Sequence, residues 1–300
     1  MNQSDWIGQK MNSRSFGTHD GSFHADEVTA CGLLLLFNLI DRKRIVRTRD
    51  QKKLVQCEYV CDVGGLYDPN QKRFDHHQSS YQGDLSSAGM ILKDLADRKV
   101  ISPSIYHYFN RSLVAGIDAV DTGQSPPVIG HCSFSGVVAN FVPARYDASD
   151  KEMEAAFYVA LDFVCGHLTR LLEKFDYIEE CREEIGKEMA KNQEVLIFER
   201  SMPWIEAFFE LGGVDHPAQF VVMPAGSQWK LRGIPPSYDK RMQVRTPLPS
   251  EWAGLLDDEL KKKTKISGAV FCHKGRFISI WQTKEDALQA LDYVLQQETL

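Results

Sequence analysis

The run Glu58-Tyr59-Val60-Cys61-Asp62-Val63-Gly64-Gly65 decides how this chain folds. Its aromatic and β-branched residues predict a strand over 58–63, and the two glycines force a turn at its end. A carboxylate among Tyr59, Val60, Cys61 and Val63 is poorly placed unless something compensates its charge. A position bridging two cations would do so. Working outward, strands are predicted at 14–18, 44–48 and 72–75, with a helix at 26–39 whose apolar face is Val28, Cys31, Leu35 and Leu39. Helices follow at 87–98 and 103–121. The alternation predicts an α/β unit with a mostly parallel sheet flanked by helices. Ligands of such sheets sit beyond the carboxyl ends of the strands. His19 follows the first strand, Asp62 closes the third, and Asp75-His76-His77 follow the short fourth.

Beyond residue 121 the pattern changes. Residues 124–150 read as loop, with Pro126-Pro127 and Pro143, and 151–200 as two charged helices broken near Phe175-Asp176. Strands are predicted at 220–223, 229–234, 269–272 and 276–280. A last helix at 284–297 is opened by Thr283, with Asp286 three positions on in a capping-box arrangement. The expected organisation is a poorly ordered leader over 1–14, a metal-binding domain over 15–150, a helical connector over 151–200 and a second, smaller α+β domain over 201–300.

Composition bounds the function classes. The 300 residues carry a net charge of −6, so an anionic polymer must be met by a local basic patch rather than by the overall field. The longest apolar run, 30–37, is too short to span a bilayer, and residues 1–15 lack the apolar centre of a signal peptide. A cytoplasmic protein without a membrane partner is expected. Seven scattered cysteines, with Cys57 and Cys61 four apart, match no Cys-x-x-Cys motif and are expected to be inert thiols.

Four segments rich in Asp and His remain: 17–27, 58–65, the run Arg73 to Gln78, and 116–123. Imidazole and carboxylate together suit divalent metals such as Mn2+, and a metal pair can activate water against phosphate esters. Each segment also has a plainer reading. Asp26 and Glu27 at a helix start complement the helix dipole, and His24 could be a loop residue. Asp118 and Asp121 could be a charged helix terminus before a Gly123 cap. The rings of His76 and His77 diverge if the triplet is extended, so one is expected on a metal and the other on substrate, with Asp75 fixing a ring nitrogen.

With these motifs in place, GTHDGSFHADE, VCDVGG, FDHHQSSY and AVDTG resemble the melanocyte proliferating gene 1 protein family, a branch of the DHH-type phosphoesterases. That superfamily also includes RecJ-like exonucleases, oligoribonucleases and manganese pyrophosphatases. The similarity extends to FVVMPAGSQWKLRGIPP, RTPLPSEWAGL and ISGAVFCHKGRF in the second half. It implies a DHH phosphoesterase-like fold and a two-metal site, with Mn2+ or else Mg2+. His19 would then bind the first metal, Asp62 bridge both, and Asp26, His76 and Asp121 bind the second. Asp118 is the alternative to Asp121, and His77 would contact phosphate or the attacking water. The chain departs from the superfamily pattern at His24, which stands where an Asp is usual, one residue further from His19. This implies an extra imidazole on the first metal, or a weaker site.

The resemblance implies substrate contacts too. The expected Gly-Gly-His of the C-terminal domain is absent, leaving His273, Lys274 and Trp281 as candidates, the last either stacking a base or packing a strand. Between 226 and 250, Lys230, Arg232, Lys240, Arg241 and Arg245 face only Asp239, a patch fit for phosphates or for solvent. Arg47 and Arg49 lie near the proposed cleft. The expected activity is a 3′→5′ exonuclease on single-stranded RNA or short oligonucleotides, with a homodimer as the assembly considered. A phosphohydrolase of pyrophosphate or nucleotide diesters, and a non-catalytic nucleic-acid-binding protein, are the alternatives.

Overall fold

The computed structural model describes residues 12–126 and 128–298. Most of the expected leader and Pro127 lie outside them, but Asn12 to Arg14 already belong to the first strand. The chain divides into two units, one running to Phe175 and one from Asp176.

In the first unit, β1 (Asn12–Thr18), β2 (Ile45–Arg47), β3 (Cys57–Cys61), β4 (Tyr67–Asp68) and β5 (Arg73–Phe74) form a sheet in the order β2-β1-β3-β5-β4. The β1–β2, β1–β3 and β3–β5 ladders are parallel, and β4–β5 is antiparallel. Phe16 and Tyr59 face each other across β1 and β3, and Tyr59 stacks on Phe74 at 6.4 Å. All three side chains are buried. Parallel pairing brings the ends of β1, β3 and β5 to one edge, where His19, Asp62 and Asp75 follow.

Helices α1 (Ala25–Leu36), α2 (Gln51–Leu54) and α3 (Ser87–Asp97) are followed by α4 (Pro103–Phe109) and α5 (Ala115–Asp121), which a π-helical turn at Asn110–Val114 joins. The expected helix over 103–121 is therefore continuous, with an extra residue in one turn. Within the expected loop 124–150 lies α6 (Phe134–Ala139), where Ser133 Oγ accepts the Gly136 N–H.

The expected break near Phe175-Asp176 does not occur. Helix α7 runs unbroken over Asp150–Met189. Phe157, Ala160, Leu161, Val164, Leu168, Phe175 and Ile178 continue one buried stripe past Phe175-Asp176, so no breaker is present there. One 18-residue window of α7 reaches a mean hydropathy of 1.3, enough by length and composition alone to cross a membrane. Part of that apolarity serves packing. A Cβ on Gly32 of α1 would lie 3.0 Å from Leu168 and 3.2 Å from Val164.

The second unit holds β6 (Val195–Ile197), β7 (Phe220–Ala225), β8 (Gln228–Gly233), β9 (Ala269–Cys272) and β10 (Ile278–Trp281), ordered β6-β7-β8-β10-β9. Only β6–β7 is parallel among its ladders in the described residues. Strand β6 and helices α8 (Trp204–Glu210) and α9 (Asp257–Thr264) were not expected. The final helix α10 (Lys284–Glu298) carries the expected capping box, Thr283 N–H to Asp286 at 3.0 Å and Asp286 N–H to Thr283 Oγ1 at 3.1 Å. One sheet face packs Val221 and Met223 against Ile185, Trp204 and Phe208, and the other packs Phe220 and Val222 around Trp252, Trp281 and Leu291. The architecture is mixed α/β, with helices flanking both sheets.

Candidate metal centre

Asp62 leaves β3 with φ at +58°, a left-handed conformation that a side-chained residue adopts at some cost and that Asp tolerates better than most. Its carboxylate turns back over the sheet edge. Oδ2 lies 3.1 Å from His19 Nε2, and Oδ1 lies 3.3 Å from His77 Nδ1 and 3.8 Å from His76 Nδ1. Oδ1 is buried and makes no hydrogen bond.

Around Asp62 the polar side chains fall into overlapping groups whose donor atoms all lie within 4.8 Å of one another. One is His19, His24, Glu27 and Asp62; a second is Asp62, Asp75, His76 and His77; a third is His24, Asp26 and Asp121. Four distant segments of the chain therefore converge, as parallel pairing requires. His19 donates from Nδ1 to the Asp20 carbonyl at 2.9 Å, which turns Nε2 toward Asp62 and Glu27. Burial pushes this imidazole down, but Asp62 and Glu27 outweigh it and hold the ring at about 10. Asp26 is fully buried with neither carboxylate oxygen hydrogen-bonded. Burial, and then the neighbouring charges of Asp62, Glu27 and Asp121, push its carboxyl well up. Such a carboxylate cluster is unstable without cations, and the mixture of imidazole nitrogen and carboxylate oxygen fits divalent metal.

His76 and His77 correct the expected divergence. Strand β5 stops at Phe74, the His77 amide turns back to donate to Asp75 Oδ1, and the two rings stack with centroids 4.3 Å apart. His76 Nε2 is 3.0 Å from Asp121 Oδ2, while its Nδ1 has no hydrogen-bond partner. Asp75 accepts from the Gly65 and His77 amides and from His77 Nδ1 at 2.9 Å. Burial raises its carboxyl, but these hydrogen bonds win and hold it below the usual range. A carboxylate only accepts, so His77 Nδ1 carries the proton.

Several expected site residues are engaged elsewhere. Asp118 is buried and accepts from Ser86 N–H, Ser86 Oγ and Gly89 N–H at 3.1, 2.6 and 3.1 Å. It caps the start of α3 and is no substitute for Asp121. Arg47, its side chain only 3% exposed, sits over Phe157 and Phe23 and donates to the Gly21 and Met153 carbonyls. It braces the His19–His24 loop and is not placed to meet substrate. Trp281 is fully buried, packed edge-on against Trp252 at 5.7 Å with Nε1 donating to Ser279 Oγ, so it cannot stack a base.

Arg49 is exposed, with Nε 3.4 Å from Asp20 Oδ1, and lines a cavity of about 530 Å³ together with His19, His24, Asp62 and His77. A second cavity of about 930 Å³ meets the centre at His24 and Asp121 and is walled by Ser125, His131 and Asn140. In the second unit, Lys230 and Arg232 lie on β8, while His273 and Lys274 form the β9–β10 turn, where His273 Nδ1 accepts the Gly275 N–H.

Sequence reasoning missed Glu27 as a member of the centre. It is fully buried, both its oxygens accept the His24 N–H at 2.9 and 3.0 Å, and Oε1 is 3.3 Å from His19 Nε2. Its place three residues after His24 was the available signal, as a capping-box glutamate.

The fold and centre define an α/β protein with a buried His/Asp cluster suited to divalent cations. A family model described as MYG1_exonuc, uncharacterised protein family (UPF0160), matches residues 15–293, and the chain belongs to this family. It is similar to the MYG1 protein of Chlamydia trachomatis serovar D, 52% identical over 288 residues that cover 96% of this chain and 98% of that protein. It also resembles the MYG1 exonuclease of Homo sapiens, 31% identical over 325 residues, covering 94% and 86%. Among solved structures, RecJ in complex with Mn2+ from Thermus thermophilus overlaps at a TM-score of 0.30 and 12% identity, over 95% of this chain and 52% of that one. That overlap is too low to bear on the fold.

Proposed function

We propose that the chain is a divalent-metal-dependent phosphodiesterase, a 3′→5′ exonuclease acting on single-stranded RNA or short oligonucleotides. The observation that carries this reading is a set of buried carboxylate oxygens without hydrogen-bond partners, both of Asp26 and Oδ1 of Asp62, ringed by imidazoles beside an open cavity. Family membership and the exonuclease named among its relatives support it.

His19, His24, Glu27 and Asp62 would hold one cation, and Asp26, Asp62, His76 and Asp121 the other, with Mn2+ the best match and Mg2+ the second. A metal pair so held would supply an acidified water and neutralise charge developing on phosphate. The remaining work belongs to the side chains. Asp75 orients His77 through Nδ1, leaving Nε2 to donate to a phosphate oxygen. The Asp75 hydrogen bond favours the protonated ring, and nearby Asp62 adds to this. Arg49 releases Asp20 to pair with the same phosphate.

Purified protein with Mn2+ and an end-labelled RNA is expected to shorten the strand stepwise from its 3′ end. Asp62→Asn, which keeps the left-handed turn accessible, is expected to abolish the reaction. An unreactive parent, or a variant as active as the parent, overturns the assignment. Relative rates on pyrophosphate and on a short RNA separate a small-substrate phosphohydrolase from an exonuclease.

A further inference from the structure

We infer that the second cavity beside the metal centre seats the nucleoside of the terminal nucleotide, with Ser135 and Asn140 reading its base. The nature of this ligand rests on the activity proposed above, whereas the cavity and its wall belong to the fold of the first unit.

Two cavities meet at His24, and their walls differ in charge. The first, of about 530 Å³, carries Arg49 and His77 beside His19 and Asp62, which is the chemistry of a phosphate seat. The second, of about 930 Å³, touches the centre at His24 and Asp121, and among the described residues no lysine or arginine lines it. Such a wall suits an uncharged group. It mixes the apolar Val120 and Ala139 with the hydroxyls of Ser125 and Ser135 and the Asn140 carboxamide. Apolar surface with a few convergent polar groups is the character of a seat for a small organic ligand. A nucleoside is the uncharged group joined covalently to a phosphate held at the neighbouring centre.

The local sequence explains how this wall is built. Gly123, with φ at +75°, follows α5, and the Ser125 N–H donates to the Ala119 carbonyl at 2.7 Å. The chain therefore turns back across the helix end and brings Ser125 beside Val120. Helix α6 supplies the opposite part. Phe134, Val138 and Phe141 recur at helical spacing; Val138 is buried, and both rings pack on Phe163 of α7 at 5.8 and 5.3 Å. That packing fixes the rotation of α6, so Ser135, Ala139 and Asn140, on another side of it, line the cavity.

These polar groups are open to a ligand. Neither the Ser135 hydroxyl nor the Asn140 carboxamide hydrogen-bonds to another described residue, whereas the Ser133 hydroxyl is taken up by the Gly136 N–H. A carboxamide offers two donors and an acceptor, and a hydroxyl both donates and accepts. That mixture matches the edge of a base, whereas an ionised phosphate only accepts.

The test is calorimetric titration of the Mn2+-loaded full chain with the four nucleoside 5′-monophosphates and with ribose 5-phosphate, which lacks only the base. At least one mononucleotide is expected to bind about tenfold more tightly than ribose 5-phosphate. Ser135→Ala/Asn140→Ala is expected to remove most of that advantage, about tenfold for two hydrogen bonds, and to leave ribose 5-phosphate binding unchanged. Ala139→Phe, at an exposed position on the wall, fills the cavity and should have the same effect. It tests the same seat if circular dichroism shows that the double variant does not fold. Mononucleotides bound no better than ribose 5-phosphate, or variants that bind them like the parent, overturn the proposal. Equal losses for both kinds of ligand mark a phosphate contact and overturn it as well. A parent that binds mononucleotides through this wall yet shortens no RNA refutes the activity and leaves the seat. A parent that shortens RNA while both variants keep its mononucleotide affinity refutes the seat alone.

Discussion

Asp62, Glu27 and His19 show how much of the candidate chemistry rests on single side chains whose surroundings were assembled from afar. Asp62 was legible in sequence as a carboxylate in an apolar strand, but its left-handed φ and its reach to three imidazoles were not. Glu27 joins two tasks, capping the start of α1 and facing His19. Gln at this position keeps an acceptor for the His24 N–H and removes the charge. Calorimetric titration with Mn2+ is therefore expected to show one of two sites weakened by about 10- to 100-fold in Glu27→Gln, with little change in folding. Equal titrations in parent and variant would reduce Glu27 to a helix cap. His19 carries a pH signature. Its folded value, about 10, lies above the ordinary 6.5, so its contribution to stability is complete below about 6.5 and is lost as pH rises through about 10. In EDTA the melting temperature of the parent should fall over that interval more than that of His19→Gln, and saturating Mn2+ should erase the difference.

At the scale of elements, the start of α3 is set by a residue about 30 positions downstream. Asp118 reaches from α5 to the Ser86 and Gly89 amides, an arrangement only a glycine at 89 permits: a Cβ there would lie 2.1 Å from Asp118 Oδ2. Three hydrogen bonds hold that carboxylate in place, so it cannot move aside freely. Gly89→Ala is expected to cost about 2–4 kcal/mol in urea denaturation, by overpacking and by freeing buried amides. Spacing in the sequence placed Asp118 and Asp121 together near one helix end, and packing then sent them to different partners, Asp121 to His76 and Asp118 to α3. Helix α7 makes the same point from the other side. Its charged middle read as a break, yet Phe175 and Ile178 keep the buried stripe intact. Trp281 likewise read equally as a base platform or a core residue until the fold closed Trp252 over it.

At the scale of the molecule, the centre concentrates buried carboxylates, and burial pushes the Asp26 and Asp62 carboxyls up because their charges repel and are desolvated. Divalent metal should relieve that repulsion. At a concentration about 100 times its Kd, Mn2+ is expected to raise the melting temperature by about 5–10 °C over EDTA-treated protein, and an unchanged melt would argue against a cation at this centre. The sequence by itself determined the kinds of element and the chemistry of their ends. Short strand-forming runs followed by His or Asp marked β1, β3 and β5, and the residue types named nitrogen and oxygen donors for metal. Tertiary structure decided which donors meet and which are used up. Parallel pairing carries His19, Asp62 and Asp75 to one edge, while burial closes Trp281, Arg47 and Asp118 into packing and caps. Periodicity reports one element's exposure to its own neighbours, whereas a binding centre depends on distances between elements, and those exist only once the sheet has formed.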